Sequence, residues 1–234
     1  MVIHRFEGKG CLLGLHSLPR AGKDTLAKEL IEHHGFVRFS FAGPLYEEVS
    51  QAFGAAIELL ESDDWKKRPQ KSLALLNCND PAFRGLMESL GFTMDEPLTS
   101  RQILQNWGTE YRRHQNKSYW TDQMWDRLGA FFERGEDGYA SNENRAVITD
   151  ARVYKDGEGE VSYDEAELLD EFGHMAGVKY RMVEILRDGT QGSKHSSDLR
   201  FPDPDIHLTI TNDSTPEQMR LNVVAYLRQE GLEI

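Results

Sequence analysis

The stretch Gly14 to Thr25 reads G-L-H-S-L-P-R-A-G-K-D-T and decides the fold. It follows an apolar run that begins at Cys11 and precedes a helical pattern over Leu26 to Ile31. A strand, a glycine-containing turn and a helix in this order bring backbone N–H groups and the positive end of a helix to one point. That arrangement predicts a cradle for the phosphates of a nucleoside triphosphate, with Lys23 in reach of the β and γ phosphates.

Composition narrows the class of protein. The 234 residues suit one large domain or one domain with insertions. The net charge of -12 argues against nucleic acid polymers and anionic membranes as partners. No apolar run approaches the ~20 residues of a membrane span, and we expect no secretory signal. Two cysteines give neither a disulfide framework nor a metal spacing, so we expect a protein of the reducing cytoplasm.

Hydrophobic periodicity and turn residues predict strands that alternate with helices. The predicted strands cover 11–16, 36–42, 146–149, 179–187 and 206–210. The predicted helices cover 22–34, 44–53, 55–61, 81–91, 99–113, 117–132, 163–176 and a last one from 216. A basic turn is predicted over 65–71, and loops over 133–145 and 188–205. The alternation predicts an α/β fold, an open parallel sheet with its ligand at the carboxyl ends of the strands.

Polar side chains follow three of these strands. They are Thr149 and Asp150, then Arg187, and last Thr211, Asn212 and Asp213. We expect them on the same rim of the sheet as Gly22 and Lys23. Residues at strand ends are often only caps, but beside a phosphate turn Asp150 becomes a candidate for holding Mg²⁺ or the acceptor.

A second segment points to a family. Thr99 to Trp120 reads T-S-R-Q-I-L-Q-N-W-G-T-E-Y-R-R-H-Q-N-K-S-Y-W. Its core R-x-x-L-Q-x-W-G-T-E resembles deoxynucleoside monophosphate (dNMP) kinases, notably those of bacteriophages. Shorter strings resemble the same family in the same order: R-A-G-K-D-T at 20–25, F-A-G-P-L at 41–45, T-D-A-R at 149–152, H-S-S-D at 195–198 and I-T-N-D-S-T at 210–215.

The resemblance implies a single domain over 1–234 with a P-loop NTPase-type parallel sheet flanked by helices. Its core would comprise 1–45, 145–187 and 206–234. A helical acceptor-binding insertion would cover about 46–132, and a short lid about 188–205. The location would be the cytoplasm, that of the host if the protein is phage-encoded.

Two letters of the turn depart from the phosphate-loop motif G-x-x-x-x-G-K-[ST]. The first glycine falls on Ser17, where a positive φ would be strained. Asp24 follows the lysine, with the hydroxyl displaced to Thr25. The phosphate turn of the dNMP kinases is similar in carrying G-K-D-T. The resemblance therefore implies that either Asp24 or Thr25 binds the Mg²⁺ that accompanies ATP.

The implied reaction transfers the γ-phosphoryl group of ATP to the 5′-phosphate of a dNMP. ATP and Mg²⁺ are the implied cofactors, and the only implied partner is the small-molecule dNMP. The residues assigned to ATP are Ser17, Arg20, Ala21, Gly22, Lys23, Asp24, Thr25 and Asn212. Those assigned to catalysis are Lys23, Arg20, Asp150 and Arg187. Those assigned to the dNMP are Gly43, Lys67, Arg101, Gln105, Trp107, Glu110, Arg113, Trp120 and Arg152. Lys194 and Arg200 would join Arg187 in the lid.

Several assignments have a structural alternative. Trp107 and Trp120 fit core packing as well as base contact. Glu110 fits an ion pair with Arg113, and the basic run Lys66 to Arg68 fits a solvated face.

The acceptor also has alternatives: a modified deoxynucleotide, a modified base in DNA, or a small metabolite such as dephospho-CoA. A regulatory nucleotide-binding module without transfer activity is a third class. The sequence does not indicate which nucleobases would be accepted. We expect a monomer or a homodimer.

Overall fold

A computed structural model describes residues 10–18, 20–133, 144–151, 154–155, 161–162, 164–188, 205–232 and 234. The chain divides into two compact units. The first combines Met1–Ser40 with Met124–Ile234, and the second is Phe41–Gln123. Each has its own hydrophobic core.

The first unit is built on a five-stranded sheet. The strands of the chain are β1 (Cys11–Ser17), β2 (Val37–Phe39), β3 (Arg145–Ile148), β4 (Tyr154–Lys155), β5 (Val161–Ser162), β6 (Lys179–Leu186) and β7 (Leu208–Thr211). The large sheet has the order β2-β3-β1-β6-β7, and every neighbouring pair is parallel. Strands β4 and β5 form a separate antiparallel pair. The carboxyl ends of the five parallel strands therefore share one edge.

Helices cover both faces of this sheet. Helices α1 (Lys23–His34) and α9 (Pro216–Gln229) pack on the face that receives Leu13 and Leu15 of β1. Because side chains alternate along a strand, Gly14 faces the other way. There a Cβ on Gly14 would meet Met182 of β6 and Leu169 of α8 (Asp164–Ala176). The predicted α/β fold, a parallel sheet flanked by helices, is confirmed.

The second unit is helical. It contains α2 (Gly43–Phe53), α3 (Ile57–Glu61), α4 (Asp63–Lys67), α5 (Pro81–Ser89), α6 (Ser100–Gln105), a π-helical segment (Asn106–Arg113) and the start of α7 (Tyr119–Glu133). Two 3₁₀ turns, Lys71–Leu73 and Leu75–Asn77, precede α5. The core gathers Phe83, Met87, Ile103 and Trp107. No helix among the described residues has the length and hydropathy needed to cross a bilayer.

Three local predictions were wrong. The turn predicted over 65–71 begins as helix α4, because Ser62 accepts the N–H of Trp65 and Asp63 pairs with Lys67 one turn on. Strand β2 ends at Phe39 rather than at residue 42, since a turn at Phe41 leads directly into α2.

The third concerns the single helix predicted over 99–113. It starts as expected, with Thr99 and Gln102 in a reciprocal capping box. From Asn106 the backbone widens into the π-helical segment, whose Trp107, Gly108 and Tyr111 are buried. Regular α-helical spacing therefore does not continue through the segment that buries these three residues.

Candidate functional site

The turn between β1 and α1 contains the strained backbone of the site. Ser17 is the last residue of β1, so the strain predicted there does not arise. Arg20 has a φ of 67°, the one positive φ of a non-glycine residue in the part of the chain described. Gly22, the N-cap of α1, has a φ of 111°. A positive φ costs free energy at a non-glycine residue such as Arg20, and such residues concentrate at ligand sites.

Two strand ends hold this turn. Asn212, directly after β7, donates its Nδ2 to the carbonyl of Ala21 at 2.7 Å. A Cβ on Gly22 would lie 2.5 Å from the same Nδ2, so only glycine permits this approach. Arg187, directly after β6, donates to the carbonyl of Arg20 at 3.4 Å. The structure therefore brings Asn212 and Arg187 to the turn after β1, on the rim of the sheet where the sequence placed them.

The N-terminus of α1 is suited to an anion. Among the described residues, no side chain caps the first turn of α1, which leaves N–H groups for a ligand. Lys23 is the first helical residue, and its Nζ lies 3.4 Å from Asp24 Oδ2. The side chains of Asp24 and Thr25 are exposed. A positive helix end, a lysine and two oxygen side chains thus lie within one turn.

Strands β2 and β3 supply the neighbouring part of the rim. Arg38 of β2 donates its Nε to Thr149 Oγ1 at 3.1 Å, and its Nη2 lies 3.8 Å from Asp24 Oδ1. Ser40 donates its hydroxyl to Asp150 Oδ2 at 3.0 Å. Sequence reasoning missed Arg38 and Ser40. The available signal was a charged residue, Arg38, within the otherwise mostly apolar strand predicted over 36–42.

The donor set fits magnesium. Asp24, Thr25 and Asp150 offer carboxylate and hydroxyl oxygens, the hard ligands that Mg²⁺ takes together with phosphate oxygens. All three lie at or beside the carboxyl edge of the sheet in the first unit.

The predicted acceptor residues of the second unit divide by exposure. Lys67, Arg101, Gln105 and Glu110 are exposed, whereas Gly43 and Arg113 are half-buried. Trp107 is 2% exposed, and the rings of Phe83 and Tyr111 pack around it. Trp120 is also buried, and its Nε1 donates to the carbonyl of Gly108. Both indoles thus belong to the core, and their contact with a base stays a prediction.

A carboxylate that the sequence did not single out organises these aromatic residues. Glu48 of α2 accepts hydrogen bonds from Trp107 Nε1 and Arg112 Nε, both at 2.7 Å, and from the Tyr119 hydroxyl. The Arg112 guanidinium stacks near the rings of Trp107, Tyr111 and Tyr119, at 4.7 to 5.7 Å from their centroids. Burial, and next the bond to Glu48, raises the pKa of the Tyr119 phenol. This phenol therefore remains a neutral donor.

Part of the predicted site lies outside the described residues. Arg152 belongs to that part, as do Lys194 and Arg200 of the predicted lid.

Comparison with known proteins adds little to this geometry. The chain matches no protein-family model and no curated protein. Among solved structures it is similar to a point mutant of the APS kinase CysC of Mycobacterium tuberculosis, with 12% identity and a TM-score of 0.40. That match covers 94% of this chain and 97% of the other. A likeness of this size assigns neither a family nor an activity to this chain, whose fold is defined by its own strands and helices.

Proposed function

We propose that this chain is a kinase that transfers the γ-phosphoryl group of ATP to the 5′-phosphate of a deoxynucleoside monophosphate. The observation that carries the proposal is the turn after β1. There a strained Arg20 and an obligatory Gly22 lead into the N-terminus of α1, with Lys23 as its first residue. This is the arrangement of a triphosphate cradle. The acceptor class follows from the resemblance of Thr99 to Trp120 to dNMP kinases.

The donor half of the reaction needs positive charge held in place. In the proposal, Lys23 and the N–H groups of the turn bind the β and γ phosphates, while Arg187 and Arg20 offset the charge that develops during transfer. Mg²⁺, held by Asp24 or Thr25, would neutralise phosphate oxygens. Asn212 supports these groups because its bond to Ala21 fixes the turn.

The acceptor half needs orientation more than activation, because a phosphate oxygen is already a nucleophilic anion. Arg101 and Arg113 would grip the 5′-phosphate with the bidentate geometry of guanidinium. The polar side chains of Gln105 and Glu110 would read the edge of the base. Asp150, held by Ser40, would orient the acceptor or the metal.

The decisive experiment is a coupled kinase assay with ATP and Mg²⁺. We expect diphosphate from one or more of dAMP, dGMP, dCMP, dTMP and base-modified dNMPs, with ribonucleotides as the comparison. Lys23→Ala is expected to lower kcat/KM by at least about 100-fold, the scale of removing one charge-stabilising group. Arg101→Ala is expected to raise KM for the monophosphate far more than KM for ATP.

Lys28→Ala is the matched control, since Lys28 lies on the same helix with its side chain exposed. Wild-type protein that forms no diphosphate from any monophosphate would refute the proposed acceptor class. Full activity in Lys23→Ala would remove the turn from the mechanism. An unchanged acceptor KM in Arg101→Ala would place Arg101 outside the acceptor site.

A further inference from the structure

The carboxylate of Asp24 is an unusual group for a phosphate site, because it adds negative charge where a triphosphate would bind. Its two oxygens face two different cations. Oδ2 lies 3.4 Å from Lys23 Nζ, and Oδ1 lies 3.8 Å from Arg38 Nη2. Lys23 belongs to the same helix, but Arg38 comes from strand β2. A carboxylate has about four lone-pair positions, so these contacts leave room for a metal ion.

The guanidinium of Arg38 is also held by a residue next to strand β3. Its Nε donates to the hydroxyl of Thr149, a side chain that is 1% exposed. The backbone N–H of Thr149 donates in turn to the carbonyl of Phe39, the next residue of β2. A buried, hydrogen-bonded threonine therefore anchors the guanidinium, whose planar fork then directs Nη2 at Asp24.

The alternation of β2 explains why Arg38 points to this side of the sheet. Phe39 packs edge-to-face against Phe131 of α7, with ring centroids 5.2 Å apart. Successive side chains of a strand point to opposite faces, so Arg38 points toward the face that carries α1. Its contact with Asp24 of α1 agrees with that direction.

We propose that Arg38 is a positioning residue, anchored on Thr149, that orients the carboxylate of Asp24 as the magnesium ligand of the nucleotide site. The inference rests on the proposed nucleotide site and chooses Asp24 over Thr25 as the ligand. Partners that orient a metal ligand typically change metal affinity about 10- to 100-fold when they are removed. Because Arg38 and Asp24 are both more than half exposed, the lower end of that range applies.

The test is a double-mutant cycle read by nucleotide binding rather than by turnover. A non-hydrolysable ATP analogue is titrated calorimetrically with Mg²⁺ and with EDTA into the wild type, Arg38→Ala, Asp24→Asn and the double variant. We expect Arg38→Ala to reduce the magnesium-dependent gain in affinity about tenfold and to change the Kd in EDTA less than twofold. Asp24→Asn should remove the same gain, and the double variant should lose no more than Asp24→Asn alone.

Two further variants separate positioning from structure. Arg38→Lys keeps the charge but cannot bond Thr149 and face Asp24 with one rigid fork, so it should recover only part of the gain. Lys28→Ala should bind like the wild type, and thermal unfolding of the nucleotide-free variants shows whether each is folded.

The opposite outcomes are equally specific. If folded Arg38→Ala shows an undiminished magnesium-dependent gain in nucleotide affinity, the inference is overturned. An equal loss with and without Mg²⁺, persisting in the Asp24→Asn background, assigns Arg38 to direct phosphate contact and also overturns it. A full gain in Asp24→Asn returns the metal to Thr25. A wild type that binds the analogue but phosphorylates no monophosphate refutes only the proposed acceptor, whereas a wild type that binds no nucleotide refutes the proposed site and this inference together.

Discussion

At the scale of single residues, the absence of a side chain at position 22 lets Asn212, directly after strand β7, approach the turn after β1. Gly22 has a φ of 111°, and a Cβ there would lie 2.5 Å from Asn212 Nδ2. Gly22→Ala therefore introduces both backbone strain and a collision with the amide that holds Ala21. We expect a loss of about 2–3 kcal/mol in the free energy of unfolding, measured by urea denaturation.

Gly35→Ala is the matched control for this loss. Gly35 ends the same helix with a φ of 65°, and nothing lies within 4 Å of a Cβ placed there. Its substitution should cost only the left-handed backbone term, about 1 kcal/mol. Equal losses at positions 22 and 35 would show that the contact with Asn212 adds nothing to stability.

At the scale of elements, one carboxylate joins α2, the π-helical segment and α7. Glu48 accepts from Trp107, Arg112 and Tyr119, one indole, one guanidinium and one phenol. Glu48→Gln keeps the shape, but it removes the charge and turns an NH₂ group toward donors. Hydrogen bonds to a charged group are worth about 1.5–3 kcal/mol each, and the remaining amide oxygen can still accept some of them. We therefore expect a loss of about 2 kcal/mol in unfolding free energy.

Thermal and urea unfolding of Glu48→Gln would be compared with Glu88→Gln, a change on the exposed side of α5 in the same unit. We expect the control to stay within about 0.5 kcal/mol of the wild type. The prediction fails when the two variants are equally stable.

The turn after β1 and the contacts of Glu48 also show how far sequence reasoning reaches. The strand, turn and helix over 11–34 were predictable because their signals are local: an apolar run, glycines at the turn and helical periodicity. The start of a helix at about residue 99 was predictable for the same reason. The pairing of Arg38 with Thr149 joins residues 111 positions apart, and that of Glu48 with Arg112 joins residues 64 apart. Nothing in local spacing indicates such partners, so the sequence left Arg38 and Glu48 unassigned.

At the scale of the whole molecule, the two units have separate cores, and each core contains one cysteine. Cys11 lies in the core of the first unit and Cys78 in that of the second. Burial raises the pKa of the Cys11 thiol to about 12, and burial also raises the pKa of Cys78. Because the thiolate is the reactive form, a thiol reagent at pH 8 reacts with either cysteine only after the surrounding structure opens.

Because each core contains one cysteine, thiol labelling can show which unit binds the nucleotide. Cys78→Ala leaves Cys11 as the reporter of the first unit, and Cys11→Ala leaves Cys78 as the reporter of the second. An ATP analogue with Mg²⁺ at about 100 times its Kd stabilises the unit that binds it by about 2.7 kcal/mol, which slows labelling about 100-fold. We expect that slowing at Cys11 and less than about threefold slowing at Cys78, because the turn proposed to bind the triphosphate belongs to the first unit. Equal slowing at both cysteines would mean that the two cores open as one cooperative structure, and slowing at Cys78 alone would place the nucleotide in the second unit.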